Sequence, residues 1–144
     1  MLIEKILEQK GHDCATVRPE ASIATVVSVL ADRRVGAVVV EDLKGHVVGI
    51  FSERDLVKLL ALRGADALIV KVREVMISPV ITCKPEDRID SVMATMSERR
   101  IRHMPVIAND ALSGMISIRD LIRVRLNEKE NEAAVLLDLA RLHG

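Results

Sequence analysis

The chain contains two copies of one pattern, and this duplication limits its fold more than any other feature. The stretch TVRPEASIATVVSVLADRRVGAVVVED from Thr16 aligns with TCKPEDRIDSVMATMSERRIRHMPVIA from Thr82, 66 positions later. The pairs Thr16/Thr82, Pro19/Pro85, Glu20/Glu86, Ile23/Ile89, Val26/Val92, Arg33/Arg99, Arg34/Arg100 and Val40/Val106 are identical. The second copy then lacks one turn residue, and GIFSERDLVK from Gly49 matches GMISIRDLIR from Gly114 at an offset of 65. Self-similarity at a fixed spacing marks a duplication, so an element assigned in one copy must also suit the other.

The first helix meets that condition. Ile23, Val26, Val27 and Leu30 recur at the spacing of one helical face, and Ile89, Val92, Met93 and Met96 reproduce the stripe. Short apolar runs follow at 36–40 and 103–107, then polar turns at 42–46 and 109–113, then second runs ending at Ser52 and Ser117. These predict hairpin-like strand pairs. A second helix is expected over 53–63, closed by Gly64, and over 118–127. Extended pieces at 14–17 and 80–83 complete a βαββα unit in each copy. Ile3, Ile6 and Leu7 match Val72, Val75 and Met76 as a short helical turn ahead of each copy. The expected organisation is therefore a first unit over 1–64 with its lead-in, a linker and second unit over 65–127, and a C-terminal helix over 128–144. The apolar positions of that last helix wrap more than one stripe, which calls for a partner surface: its own chain or a second copy.

Composition removes several classes of function. Lys plus Arg and Asp plus Glu both number 21, so nothing draws the whole molecule to nucleic acid or to an anionic membrane. Phe51 is the only aromatic residue, which removes base-stacking platforms and requires an aliphatic core. A hydrophobic fraction of 49% suits a folded chain, yet no apolar run approaches the ~20 residues of a membrane span. Glu4, Lys5 and Glu8 interrupt the first apolar stretch as a secretory signal would not tolerate, and a cytoplasmic location is expected. Cys14 and Cys83 stand alone without metal or redox spacing and read as packing residues.

The ordered set of these motifs resembles the CBS domain family, named after cystathionine β-synthase. The resemblance runs from Ile3 to about Asn127. It rests on the tandem βαββα pattern, the Thr-x-x-Pro start of each copy, the RHMPV run at 102–106, and the pair GIFSERD and GMISIRD. It implies an α/β fold in which two units pack sheet to sheet around a pseudo-twofold axis and leave two clefts. Members of the family bind AMP, ADP, ATP, NAD-type ligands or S-adenosylmethionine there, and regulate attached or partner proteins.

The two GxxSxRD motifs have chemistry of their own. A helix N-terminus presents unpaired N–H groups and partial positive charge to a phosphate. Gly49 and Gly114 leave room for close approach, and Ser52 and Ser117 supply hydroxyls. Arg54 and Arg119 add charge, and Asp55 and Asp120 offer two acceptor oxygens to the hydroxyls of a ribose. Ser-x-x-Asp is equally a capping box that needs no ligand, and the serine is able to do both. The resemblance implies sites that cross the copies. The Asp120 cleft would be completed by Thr16, Ala21, Val35, Gly36 and Ala37, and the Asp55 cleft by Thr82, Asp87, Ile101, Arg102 and His103. Without aromatic residues, adenine would lie between aliphatic side chains and pair with strand backbone. The smaller, uncharged Asp120 cleft is expected to be the tighter. Val39 stands where the second copy has Pro105, which leaves the first copy's strand less marked.

These readings converge on a non-catalytic regulatory module that binds AMP, ATP or NAD as a ligand, needs no catalytic cofactor, has no metal-ligating residues in its motifs, and forms a homodimer through its second helices; whether a metal accompanies a triphosphate is not readable from the sequence. The process it regulates is not readable from the sequence. The rival is a structural dimerisation or protein-docking module with empty clefts. No nucleophile elbow, metal-spaced His/Cys set or paired acids point to an enzyme.

Overall fold

The computed structural model describes residues 1–143. It contains α1 (Ile3–Lys10), β1 (Thr16–Val17), α2 (Ile23–Arg33), β2 (Ala37–Glu41), β3 (Val47–Ser52), α3 (Glu53–Arg63), α4 (Ile89–Arg99), β4 (His103–Ala108), β5 (Ala111–Ser117) and α5 (Ile118–His143). Two 3-10 segments, Gly64–Ile69 and Val72–Glu74, connect the copies. α2 starts where the Ser22 hydroxyl accepts from the Thr25 N–H at 3.2 Å, and it buries Ile23, Val26 and Leu30. α4 buries the matching Ile89, Val92 and Met96. Both helices stop on an arginine in the left-handed region, Arg34 at φ 54° and Arg100 at φ 55°.

The hairpins close differently. In β2–β3 the Asp42 carboxylate accepts from the Lys44 and His46 N–H groups, each at 2.9 Å, so a side chain organises the turn. β4–β5 turns on Asn109 and Asp110 alone, both at positive φ, as a two-residue hairpin loop requires. β5 therefore begins at Ala111, inside the longer turn expected from the sequence.

The lead strands also differ, and in the opposite sense to the expectation from Val39. β1 runs parallel to β2, and the Val39 N–H donates to the Ala15 carbonyl at 3.0 Å. The second copy has only a bridge between Cys83 and Val106, so its sheet is β4–β5 alone. Pro105 occupies the position of Val39 and has no N–H to donate, which removes the bond that would lengthen the pairing. The expected strand over 80–83 is thus reduced to one residue.

α3 ends at Gly64, at φ 59°. α5 instead continues for 26 residues, merging the expected second helix and the C-terminal helix. Its sequence from Ile118 to His143 contains neither Gly nor Pro, so nothing in the chain stops it at Asn127. Gly144, where the last helix was expected to end, lies outside the described residues.

The short lead-ins are exchanged between the copies. α1 buries Ile3, Ile6 and Leu7 in the core of the second copy, against Ile89, Val92, Met96 and Ile116. Val72 does the same in the first copy, against Ile23, Val26 and Phe51. The hydrogen bonds repeat the exchange. The N–H groups of Ile3 and Glu4 donate to the carbonyls of Asp87 and Pro85, and those of Val72 and Arg73 donate to the carbonyls of Ala21 and Pro19. Chain order and packing order thus cross. Between the two cores, Ala37 and Val39 of β2 meet Met115 of β5 in a small apolar cluster, which is the sheet-to-sheet contact.

Candidate functional site

Each second helix starts with a complete capping box. In the first copy the Ser52 N–H and hydroxyl donate to Asp55 Oδ2 at 2.9 and 2.8 Å, and the Asp55 N–H donates to Ser52 Oγ at 3.3 Å. In the second, the Ser117 N–H donates to Asp120 Oδ2 at 2.9 Å and the Asp120 N–H to Ser117 Oγ at 3.2 Å. The capping role is therefore real. Among the described residues each aspartate keeps Oδ1 without a protein donor, so capping and ligand binding do not exclude each other.

The helix starts are tied to the strand starts beside them. The Glu53 N–H donates to the Gly36 carbonyl at 2.9 Å, and the Ile118 N–H to the Arg102 carbonyl at 2.8 Å. Val35, Gly36 and Ala37 of the first copy and Ile101, Arg102 and His103 of the second line one space. Ser52, Arg54, Asp55, Ser117 and Arg119 line the same space, an open cleft of about 810 Å³. The resemblance implied two clefts; this space is lined by residues of both halves. His103 reaches over to the first copy, and a Cβ at Gly36 would lie 3.1 Å from its Nε2. Burial lowers the His103 pKa below 6.5, against the opposing pull of Glu53.

Other expected residues stand apart from this cleft. Thr16 is exposed on β1, and the Ala21 carbonyl is taken by the Val72 N–H. Thr82 lies on a separate shallow depression with Lys84 and Glu86, of about 440 Å³. Gly49 and Gly114 are explained by packing. A Cβ on Gly49 would strike the Met76 side chain, and one on Gly114 would come within 2.8 Å of Leu7. Met76 and Leu7 are equivalent residues of the two lead-ins, so the repeated glycines make room for the exchanged segments.

The cleft also gathers residues that the sequence reading passed over: Lys10, Glu53, Lys58, Arg34 and Arg100. The last two were visible as a repeated identity, but nothing in the chain showed that both helix ends face one space. Lys10 had no repeat signal, since Pro79 stands at its position in the second lead-in. Its ammonium donates to the Met115 carbonyl at 2.9 Å and to Asp120 Oδ2 at 2.8 Å. Burial raises the Asp120 pKa, but the Lys10 contact and the Ser117 N–H outweigh it, and the net shift is downward from 3.8. Asp55 has no ion-pair partner among the described residues. The two capping aspartates are chemically unequal.

Cys14 borders the cleft, and burial pushes its thiol up to about 11; that of Cys83 rises to about 12. Neither thiol is a thiolate near neutrality. Among the described residues no His/Cys/Asp/Glu group is arranged to hold a metal, and no helix is long and apolar enough to cross a membrane.

The CBS domain model matches residues 10–62 and 72–127, once on each copy. The chain belongs to the CBS domain family. A crystal structure of a CBS-domain protein from Agrobacterium tumefaciens is 41% identical, with 86% of this chain and 92% of that one covered and a TM-score of 0.83. A CBS domain protein from Pyrobaculum aerophilum, solved in complex with AMP, is 26% identical, covering 83% of this chain and 89% of that one at a TM-score of 0.74. An uncharacterised 33.4 kDa protein from Thermofilum pendens is 36% identical over 125 residues. That match takes in 83% of this CBS chain but only 41% of the relative's length. The two copies are thus a pair of CBS domains.

Proposed function

We propose that this CBS pair is a non-catalytic regulatory module that binds an adenosine-containing nucleotide in the central cleft. The observation that carries the reading is the repeated capping aspartate, each with an unused carboxylate oxygen: Asp55 lines the cleft, and Asp120 follows the lining residues Ser117, Ile118 and Arg119 without itself lining it. Ribose hydroxyls find their acceptors there, adenine rests on the aliphatic starts of β2 and β4, and phosphates lie toward the axis. The AMP complex of the Pyrobaculum aerophilum relative supports adenosine as the recognised group. Because the strand starts from both copies line the cleft, a bound nucleotide changes how the copies pack, and the outer helices transmit that change. Val57 on α3 and Ile122 on α5 occupy repeat-equivalent positions and are 66% and 47% exposed. A homodimer through these faces is part of the proposal, and sedimentation showing only monomer with and without nucleotide would remove it.

The rival, a docking module with empty clefts, draws support from one observation: Lys10 already fills part of the Asp120 acceptor. Thermal denaturation in the presence of AMP, ATP, NAD and S-adenosylmethionine separates the readings. A ligand at 100 times its Kd adds about 2.7 kcal/mol to the folded state. No shift with any of the four at millimolar concentration would leave the docking module standing.

A further inference from the structure

The apolar surface that the fold leaves open is gathered in two places. Twelve of the sixteen large hydrophobic residues exposed among the described residues lie on α5, or on α3 and the 3-10 segment that follows it. Seven belong to α5, and five of these, Val135, Leu136, Leu137, Leu139 and Leu142, fall on its last turns. Every residue from Lys129 to Leu142 is exposed, so the chain's own body covers no side of this arm. At 3.6 residues per turn the five occupy more than half of the helix circumference, leaving Asp138 and Arg141 on the remainder. A helix of this length without tertiary contacts is marginal in water, and its apolar face calls for a partner. The second place is a corner where α3 packs on the 3-10 segment, with Val57, Leu60, Leu62, Leu68 and Ile69 left exposed.

We infer that the arm of one chain docks on the α3 corner of a second copy, whose own arm docks in return on the first. The inference rests on the homodimer reading for the presence of a second copy, and it adds which surfaces meet. Charge favours this pairing. Residues 128–142 carry four carboxylates against two cations, whereas residues 57–69 carry two cations, Lys58 and Arg63, against Asp66 alone. Lys58, Arg63, Glu130, Glu132 and Asp138 form no ion pair among the described residues. Two arms laid together would gain no such attraction, both being acidic, and an anionic lipid surface repels the same carboxylates. At 1.5 Å per residue the arm measures roughly 20 Å and α3 roughly 16 Å, so one is long enough to lie along the other. Two such contacts related by a twofold axis cover both surfaces of both chains and close the assembly.

Sedimentation velocity of the intact chain and of two double variants tests this. Leu136→Glu with Leu139→Glu spoils the arm, and Leu62→Glu with Ile69→Glu spoils the corner. Leu62 and Ile69 are 84% and 82% exposed, so the corner changes leave the core untouched. Each variant alone is expected to raise the dimer dissociation constant roughly 100-fold or more, because two large apolar side chains are lost from each contact. Leu43→Glu, on the β2–β3 turn, leaves association as in the parent chain. When the two variants are mixed, the intact arm of the corner variant meets the intact corner of the arm variant, and one of the two contacts returns. With one variant isotopically labelled, carbodiimide is then expected to couple Glu130 or Glu132 of the corner variant to Lys58 of the arm variant, and not the reverse. A corner variant that dimerises like the parent, or a mixture that couples in neither direction or equally in both, would overturn the inference while leaving a homodimer of the parent chain intact. A parent chain that is monomeric with and without nucleotide would remove the homodimer reading and the inference together. The adenosine reading stands apart, since neither variant alters the cleft and both keep the parent's thermal shift with nucleotide.

Discussion

The two halves of the cleft come from one duplicated sequence but carry different chemistry. At the Asp55 end the capping carboxylate is free of cations, and Glu53 adds a second negative charge nearby. At the Asp120 end, Ile118 replaces that glutamate and the Lys10 ammonium sits on the carboxylate. The cause lies in the exchanged lead-ins. α1 remains helical to Lys10, whereas its counterpart is a three-residue 3-10 turn, and Pro79 at the Lys10 position disfavours helix in the residue before it. Lys10 thus reaches the opposite copy's capping aspartate, and Pro79 at the equivalent position offers no such cation. The difference teaches that duplication preserves the frame of a binding site more readily than its charge.

The largest effect that breaks or sharpens this comparison is expected from the anchors themselves. Asp55→Ala removes an open acceptor for two ribose hydroxyls and should weaken adenosine-ligand binding by about 2 to 4 kcal/mol, since bonds to charged groups are worth about 1.5 to 3 each and do not simply add. Asp120→Ala should cost less, because the Lys10 ammonium already offsets the charge of that carboxylate. This ranking reverses the expectation that the Asp120 end is the tighter, which rested on the size and charge of the lining and did not include Lys10. Calorimetry on both variants, with folding checked by circular dichroism, decides it; a larger loss in Asp120→Ala restores the original order.

Exchanging Val39 and Pro105 probes the same comparison in the sheets. Val39→Pro deletes the donor that holds β1 to β2 and should destabilise the chain by about 1 to 3 kcal/mol, the cost of leaving a buried partner unpaired. Pro105→Val supplies the missing donor to the second copy. Its amide should be protected from hydrogen exchange if it reaches Ile81; rapid exchange at residue 105 would show that the proline is not what shortens that strand.

Lys10→Met removes the ion pair that separates the two ends. The lysine side chain is 35% exposed, so after solvent screening the stability lost should be at most about 1 kcal/mol. The freed Asp120 should then bind adenosine more tightly than in the parent chain. A variant with unchanged adenosine affinity would show that Lys10 does not compete with ribose.

The smallest expected effect is on pH dependence. His103 has a folded-state pKa below 6.5, burial being the main cause, with Glu53 and Asp120 opposing and Lys10 and Arg102 reinforcing it. The unfolded chain therefore takes up the proton first, and stability declines as pH falls from 6.5 toward the lower folded value, then levels off. Thermal melts between pH 7.5 and 5 should show this slope in the parent chain and a shallower one in His103→Gln, roughly in proportion to the proton uptake removed. Equal slopes would place the proton elsewhere.

What the sequence determined by itself was whatever local periodicity and repetition encode. The stripes of the first helices and the apolar runs of the hairpins were legible, as were the positions of Ser52, Asp55, Ser117 and Asp120, because each is set by neighbours within a few residues and appears twice. The length of α5 was readable in principle from its lack of Gly and Pro, but the analogy with Gly64 suggested a stop. Tertiary structure alone decided the rest. Only packing could send α1 onto the second copy, give Gly49 and Gly114 to Met76 and Leu7, place Lys10 on Asp120, and gather residues of both copies around one cleft. Some of these contacts join residues more than a hundred positions apart, as Lys10 and Asp120 are, and no periodicity in a single chain records which distant side chains will share a space.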